Sequence, residues 1–227
     1  MYYYDSTFII LIPAIIFSLI AQFMVKSTFD KYSKERNSRG ITGADAAREI
    51  LDRNGLSHIR IERVSGSLTD HYDPRANVIR LSDDVYGNAS AAAVGVAAHE
   101  AGHAVQYAVG YSPIKLRNAI IPVTRFGSGL STPLVLLGLL FSSDLFITIG
   151  ILLFCAVVLF QAVTLPVEFD ASNRAIKSLR SAHLLEDDEL NGARKVLIAA
   201  ALTYVAAMIS ALLSLVRLLL IVNRRRR

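Results

Sequence analysis

Long apolar stretches, at residues 8–25, 126–141, 146–167 and 196–222 of this 227-residue chain, constrain its fold more than any other feature. A backbone inside a bilayer must satisfy its own hydrogen bonds, so a stretch of this kind crosses as a helix or not at all. At 1.5 Å per residue, about 20 residues span the ~30 Å hydrocarbon layer. Residues 8–25 are polar only at Ser18 and Gln22. The preceding Met1 to Asp5 carries no basic residue and no small-x-small cleavage site follows, so the stretch reads as an anchor and not as a cleaved signal peptide. Between the second and third stretches stand only Ser142, Ser143 and Asp144, enough for a hairpin at a membrane surface. The second is the weakest span, interrupted by Pro122, Arg125 and Pro133, and the last is broken only by Arg217.

The polar remainder supplies a compact α+β piece. Thr42 can cap a helix with Asp45 in its first turn and Ala46, Ala47, Ile50 and Leu51 as its apolar stripe. Residues 59–64 and 77–82 alternate with period two around a turn-rich segment, which predicts a small sheet. A further helix begins at Asn88 or Ser90 and ends near Gly110. The expected plan is mainly α with a small β-sheet: a membrane-embedded bundle of about four spans carrying a zincin-like α+β subdomain. Its segments are spans at residues 8–25, 119–141, 145–167 and 196–222, the subdomain at 26–118, a third-ligand segment at 168–195 and a basic tail at 223–227.

Within the last polar helix stands His99-Glu100-Ala101-Gly102-His103. Positions four apart share a helix face, so both imidazoles can reach one tetrahedral ion, while Glu100 projects about 100° round. Two core histidines and a carboxylate among alanines would otherwise cost several kcal/mol. Zinc is the expected cofactor, held by His99 and His103, with Glu100 as the general base toward a zinc-activated water that attacks a peptide carbonyl. The small neighbours Ala97, Ala98, Ala101, Gly102 and Ala104 leave room for substrate or the sheet to approach.

With one cysteine, Cys155, neither a disulfide framework nor a thiolate cluster is available. Gln106 and Val109 exclude an extended motif with a third histidine three residues past a glycine. Two spans separate His103 from Glu168, so Glu168 returns to the same membrane face, on a helix expected to leave the bilayer; it is the favoured third ligand. His71 is the chief rival, and His183 also falls on that side. Asp170 has its own explanation as an ion pair with Arg174. Tyr72, His71, Tyr107 and Arg174 are the residues considered as oxyanion stabilisers, and residues 77–82 as an edge strand that could take up substrate backbone.

The chain resembles a family of bacterial neutral zinc metallopeptidases called YugP-like. The likeness runs through Leu68-Thr69-Asp70-His71-Tyr72-Asp73-Pro74, Val78-Ile79-Arg80-Leu81-Ser82, Ala97-Ala98-His99-Glu100-Ala101-Gly102-His103-Ala104, Leu165-Pro166-Val167-Glu168-Phe169-Asp170-Ala171-Ser172 and Leu202-Thr203-Tyr204-Val205-Ala206. The resemblance implies a membrane-bound zinc peptidase. More distantly the plan looks like membrane proteases of the HtpX and CAAX prenyl endopeptidase type, in which a Glu after a membrane hairpin supplies the third ligand within E-x-x-x-D. Glu168 matches that ligand, and Ser172 stands where the Asp would be.

Lys and Arg total 24 against 19 acidic residues, and the excess of +5 nearly matches Arg224, Arg225, Arg226 and Arg227, so no nucleic-acid partner is expected. Lys26, Lys31, Lys34, Arg36 and Arg39 after the first span put the catalytic segment in the cytoplasm of a bacterial plasma-membrane protein, and Arg174, Lys177, Arg180, Arg194 and Lys195 agree. The terminal arginines oppose that count. The expected function is a multi-pass, gluzincin-like metalloendopeptidase acting on a peptide or membrane-protein substrate in the lipid bilayer. The alternative is a catalytically silent zinc-binding membrane scaffold or assembly partner; oligomeric state and partner proteins are open.

Overall fold

The structure is a computed structural model and describes residues 6–225; Arg226 and Arg227 of the basic tail lie outside them. Helices dominate it: α1 (Ile12–Tyr32), α2 (Gly43–Arg53), α3 (Asp83–Tyr86), α4 (Ala91–Ala108), α5 (Ser112–Leu140), α6 (Asp144–Ser181) and α7 (Asp187–Arg225). Three strands, β1 (Arg60–Val64), β2 (His71–Asp73) and β3 (Val78–Ser82), form one sheet of order β1-β3-β2. Among the described residues, four helical stretches are long and apolar enough to cross a membrane: Thr7–Tyr32, Ser112–Leu140, Asp144–Ser181 and Asp187–Asn223.

The chain divides into two compact units. One comprises the residues up to Gln22, Ser112–Pro166 and those from Thr203 onward. In it α5 and α6 form a hairpin whose backbones approach closely: a Cβ on Gly150 would stand 2.7 Å from the Ser131 carbonyl oxygen. Small residues at such a crossing let dispersion contacts hold helices together where no hydrophobic drive exists between them. The large apolar side chains Phe126, Leu140, Phe141 and Leu152 point outward, as a lipid-facing surface would require and a water-facing one would not.

The second unit, Phe23–Tyr111 with Val167–Leu202, holds the sheet and α4. Thr42 Oγ1 accepts from the Asp45 amide and Asp45 Oδ2 accepts from the Thr42 amide, the reciprocal cap that starts α2. Ala46, Ala47, Ile50 and Leu51 of α2 then bury against Val94, Ala97, Ala98 and Ala101 of α4 in one core. β1 pairs parallel with β3 and β2 antiparallel with it. Asp73 accepts from the Arg75 and Ala76 amides and so turns the chain from β2 into β3.

Two expectations need correction here. Residues 77–82 do not form an edge: β3 is the central strand, its backbone groups committed on both sides, and the edges are β1 and the three-residue β2, which lies in the segment read as turn. Glu168 does not open a separate helix either. It lies inside the 38-residue α6, where Pro166 withholds one amide donor without breaking the helix.

Candidate metal centre

α4 is capped by Ser90, whose Oγ accepts from the Ala93 amide, and carries residues 99–103 through its regular middle. His99 and His103 therefore share a face, with ring centroids 4.7 Å apart and planes at 82°. Glu168 meets them from α6. Its Oε2 lies 3.3 Å from His99 Nε2 and 3.5 Å from His103 Nε2. Gly102 makes the meeting possible, since a Cβ there would stand 2.6 Å from the Ala171 carbonyl oxygen. At that position the room left by a small residue is filled by α6, not by substrate or the sheet.

The outer nitrogens are occupied. His99 Nδ1 lies 3.1 Å from Ser172 Oγ, and His103 Nδ1 lies 3.0 Å from Gln106 Oε1. Gln106 is wholly buried and spends both amide hydrogens elsewhere, on the Val167 carbonyl and on Asp170 Oδ2, each at 2.8 Å. The amide oxygen is thus the atom that faces His103 and accepts from Nδ1–H; the neutral ring then has its lone pair on Nε2, and the protonated ring donates from Nε2–H to Glu168. Asp170 is steadied in turn by Arg174 at 2.5 Å. The ion pair expected for Asp170 exists, but it is one end of a chain that reaches His103.

Burial by itself would favour the neutral His103 ring. The hydrogen bond to Glu168, the charges of Glu100 and Glu168, and the Gln106 contact outweigh it and hold the His103 pKa above the ordinary imidazole value.

Three donors, two nitrogens and one carboxylate oxygen, lie within 4.8 Å of one another. Ligands at about 2.0–2.1 Å in tetrahedral array stand about 3.3–3.4 Å apart, close to the two nitrogen-to-oxygen separations of 3.3 and 3.5 Å. Imidazole with carboxylate is also the donor chemistry of zinc. The residues present fit a zinc ion.

Glu100 is buried at 8 % exposure, and among the described residues no protein group donates a hydrogen bond to its carboxylate. Its charge reaches both His103 and Asp70. Asp70 closes the sheet side by accepting from the Ser82 amide and hydroxyl at 2.8 and 2.9 Å. His71 stays apart from the donor cluster, its Nδ1 on the Thr69 carbonyl and its Nε2 facing Arg80. His58 and His183 are exposed. Of the residues considered as oxyanion stabilisers, Arg174 is held by Asp170, while Tyr72 and Tyr107 pack edge to face at 5.5 Å.

Residues 7–223 match the family described as "Putative neutral zinc metallopeptidase". The chain belongs to that family. It is 51% identical over 210 residues to the "Putative membrane protease YugP" of Bacillus subtilis (strain 168), an alignment covering 92% of this chain and 93% of that one. No solved structure matches. Family and donor set together support a peptidase of the metal-dependent kind.

Proposed function

We propose that this chain is a membrane-integrated, gluzincin-like zinc endopeptidase in which His99, His103 and Glu168 hold the metal and Glu100 is the general base. The observation that carries the reading is the convergence of two imidazoles and one carboxylate oxygen within 4.8 Å of one another, beside a buried carboxylate to which, among the described residues, no protein group donates a hydrogen bond. Zinc bound there would acidify water and polarise a peptide carbonyl.

The protein's own groups do the rest. The Gln106 oxygen keeps His103 in the tautomer whose Nε2 is free to ligate, and Ser172 Oγ accepts from His99 Nδ1–H to the same end. Glu100 takes a proton on its carboxylate as water adds to the carbonyl carbon, and delivers it to the amine nitrogen as the C–N bond breaks. Substrate backbone adds along the free edge of β2, the strand that packs near α4.

The four apolar helices are the spans of a multi-pass protein of the bacterial plasma membrane. The basic residues at 26–39 and 174–195 support a cytoplasmic side for the centre by the positive-inside rule. A peptide or membrane protein is the substrate.

The decisive comparison is Glu100→Gln beside the wild type. Zinc content, read by atomic emission on detergent-purified protein, stays stoichiometric, while hydrolysis of fluorescein-labelled casein and of a peptide library falls at least 10³-fold, the order expected when a general base is lost from the reaction. Equal hydrolysis by both proteins would remove Glu100 from the reaction. Stoichiometric zinc with no cleavage by either, and full cellular function of the Gln variant, would make the chain a zinc-holding scaffold.

A further inference from the structure

Between α6 and the first half of α7, inside the unit that holds the metal centre, runs a groove of about 520 Å³. Its two walls differ from end to end. Phe169, Ile198 and Leu202 make one end apolar, and Phe169 and Ile198 are 45% and 54% exposed. Lys177, Arg180 and Arg194 make the other end cationic. On α6, Lys177 and Arg180 stand about 12 and 16 Å beyond Phe169 along the axis. On α7, Arg194 precedes Ile198 and Leu202 by one and two turns. The cations thus gather near the short link between the helices, and the apolar end is the one from which both helices run into their long apolar stretches.

None of these three cations is paired among the described residues, although Arg48, Arg53, Arg60, Arg63, Arg80 and Arg174 of the same unit all face carboxylates. Among the described residues, no acidic one lines the groove. Three unpaired positive charges above an exposed apolar floor demand a ligand with one anionic and one hydrocarbon end. A soluble anion would leave Phe169 and Ile198 uncovered. An extended peptide would need backbone partners, and helix walls have spent theirs.

We infer that the groove binds an acidic phospholipid, with the phosphate on Lys177, Arg180 and Arg194 and an acyl chain along Phe169, Ile198 and Leu202. The inference rests on the membrane placement of α6 and α7 proposed above and is independent of the zinc chemistry. Each cation contributes through its attraction to anionic headgroups, and the floor through the burial of methylene groups.

The test uses the full chain purified in detergent, with phosphatidylglycerol, phosphatidylcholine and inorganic phosphate as separate probes. Bound lipid is read by native mass spectrometry and by competition with a fluorescent phosphatidylglycerol. Phosphatidylglycerol should bind at least tenfold more tightly than phosphatidylcholine. K177Q/R180Q/R194Q should lose that preference, and the charge-matched K26Q/K34Q/K115Q, at exposed sites outside the groove, should keep it. Ile198→Ser should weaken phosphatidylglycerol without changing phosphate binding. Equal affinity for the two lipids overturns the inference, as does equal loss in both triple variants or phosphate competing as well as the lipid. Alkaline carbonate extraction separates the two failures: a chain that leaves the membrane fraction refutes the membrane placement itself, whereas one that stays and fails the lipid comparison refutes only the groove.

Discussion

A neutral imidazole has one lone pair, and the partner of its other nitrogen decides which atom bears it. At the residue scale Gln106 does this for His103, through an amide whose two hydrogens are already given to Val167 and Asp170. Gln106→Leu should weaken zinc binding about 10–100-fold in a chelator competition, the range typical for losing such a partner, with far-UV circular dichroism unchanged. Zinc affinity equal to wild type would show that the ring holds its tautomer unaided.

The same residues give a pH signature. The folded His103 pKa is raised above 6.5, so in zinc-stripped protein its interaction with Glu168 is fully stabilising below that value and is lost as pH rises through the folded pKa. Zinc takes the neutral ring, so the loaded protein runs the other way and loses metal as pH falls through the same range. Melting temperatures of EDTA-treated and zinc-loaded protein between pH 5.5 and 8.5 should therefore show opposite slopes.

At the scale of elements, the centre depends on how near α4 comes to α6. Gly102→Ala would put a methyl against the Ala171 carbonyl, a backbone atom that cannot swing aside. The helices must part, at a cost of about 1–3 kcal/mol, and Glu168 withdraws from the histidines. We expect a lowered melting temperature together with loss of zinc. Gly87→Ala, where a Cβ meets nothing within 4 Å, should change stability by no more than about 0.5 kcal/mol. The sequence marked Gly102 as small but could not say what it admitted. β2 escaped notice for a related reason: three residues are too few for an alternating pattern, and their pairing with β3 is made across a turn.

For the whole molecule, two helices long and apolar enough to cross a membrane begin between α4 and Glu168, and on the membrane placement proposed above that even number lets one carboxylate return to two histidines. In a Cys155→Ser background, Glu186→Cys should resist a membrane-impermeant maleimide in intact cells, while Ser142→Cys, in the α5–α6 turn, should be labelled. Labelling of Glu186→Cys would invert the proposed sidedness. Asn223→Cys reports where the basic tail, which works against the charge rule, comes to rest.

Features set by short covalent spacing were legible from the residues alone. The four apolar stretches, the Thr42 cap and the shared face of His99 and His103 all follow from helix periodicity and a few neighbouring side chains, whereas the choice of Ser90 over Asn88 as the cap of α4 came from the structure. Counting apolar stretches made Glu168 a candidate partner for the histidines, and the structure brings its carboxylate beside them. Gln106 stood on the histidine face, seven residues after His99, yet a glutamine there carries no meaning until Val167 and Asp170 arrive from another helix to claim its hydrogens. The central place of β3, the unbroken α6 and the groove beside Lys177 were likewise decided only by packing. Each depends on which distant segments come within a few ångströms, and no local pattern encodes that distance.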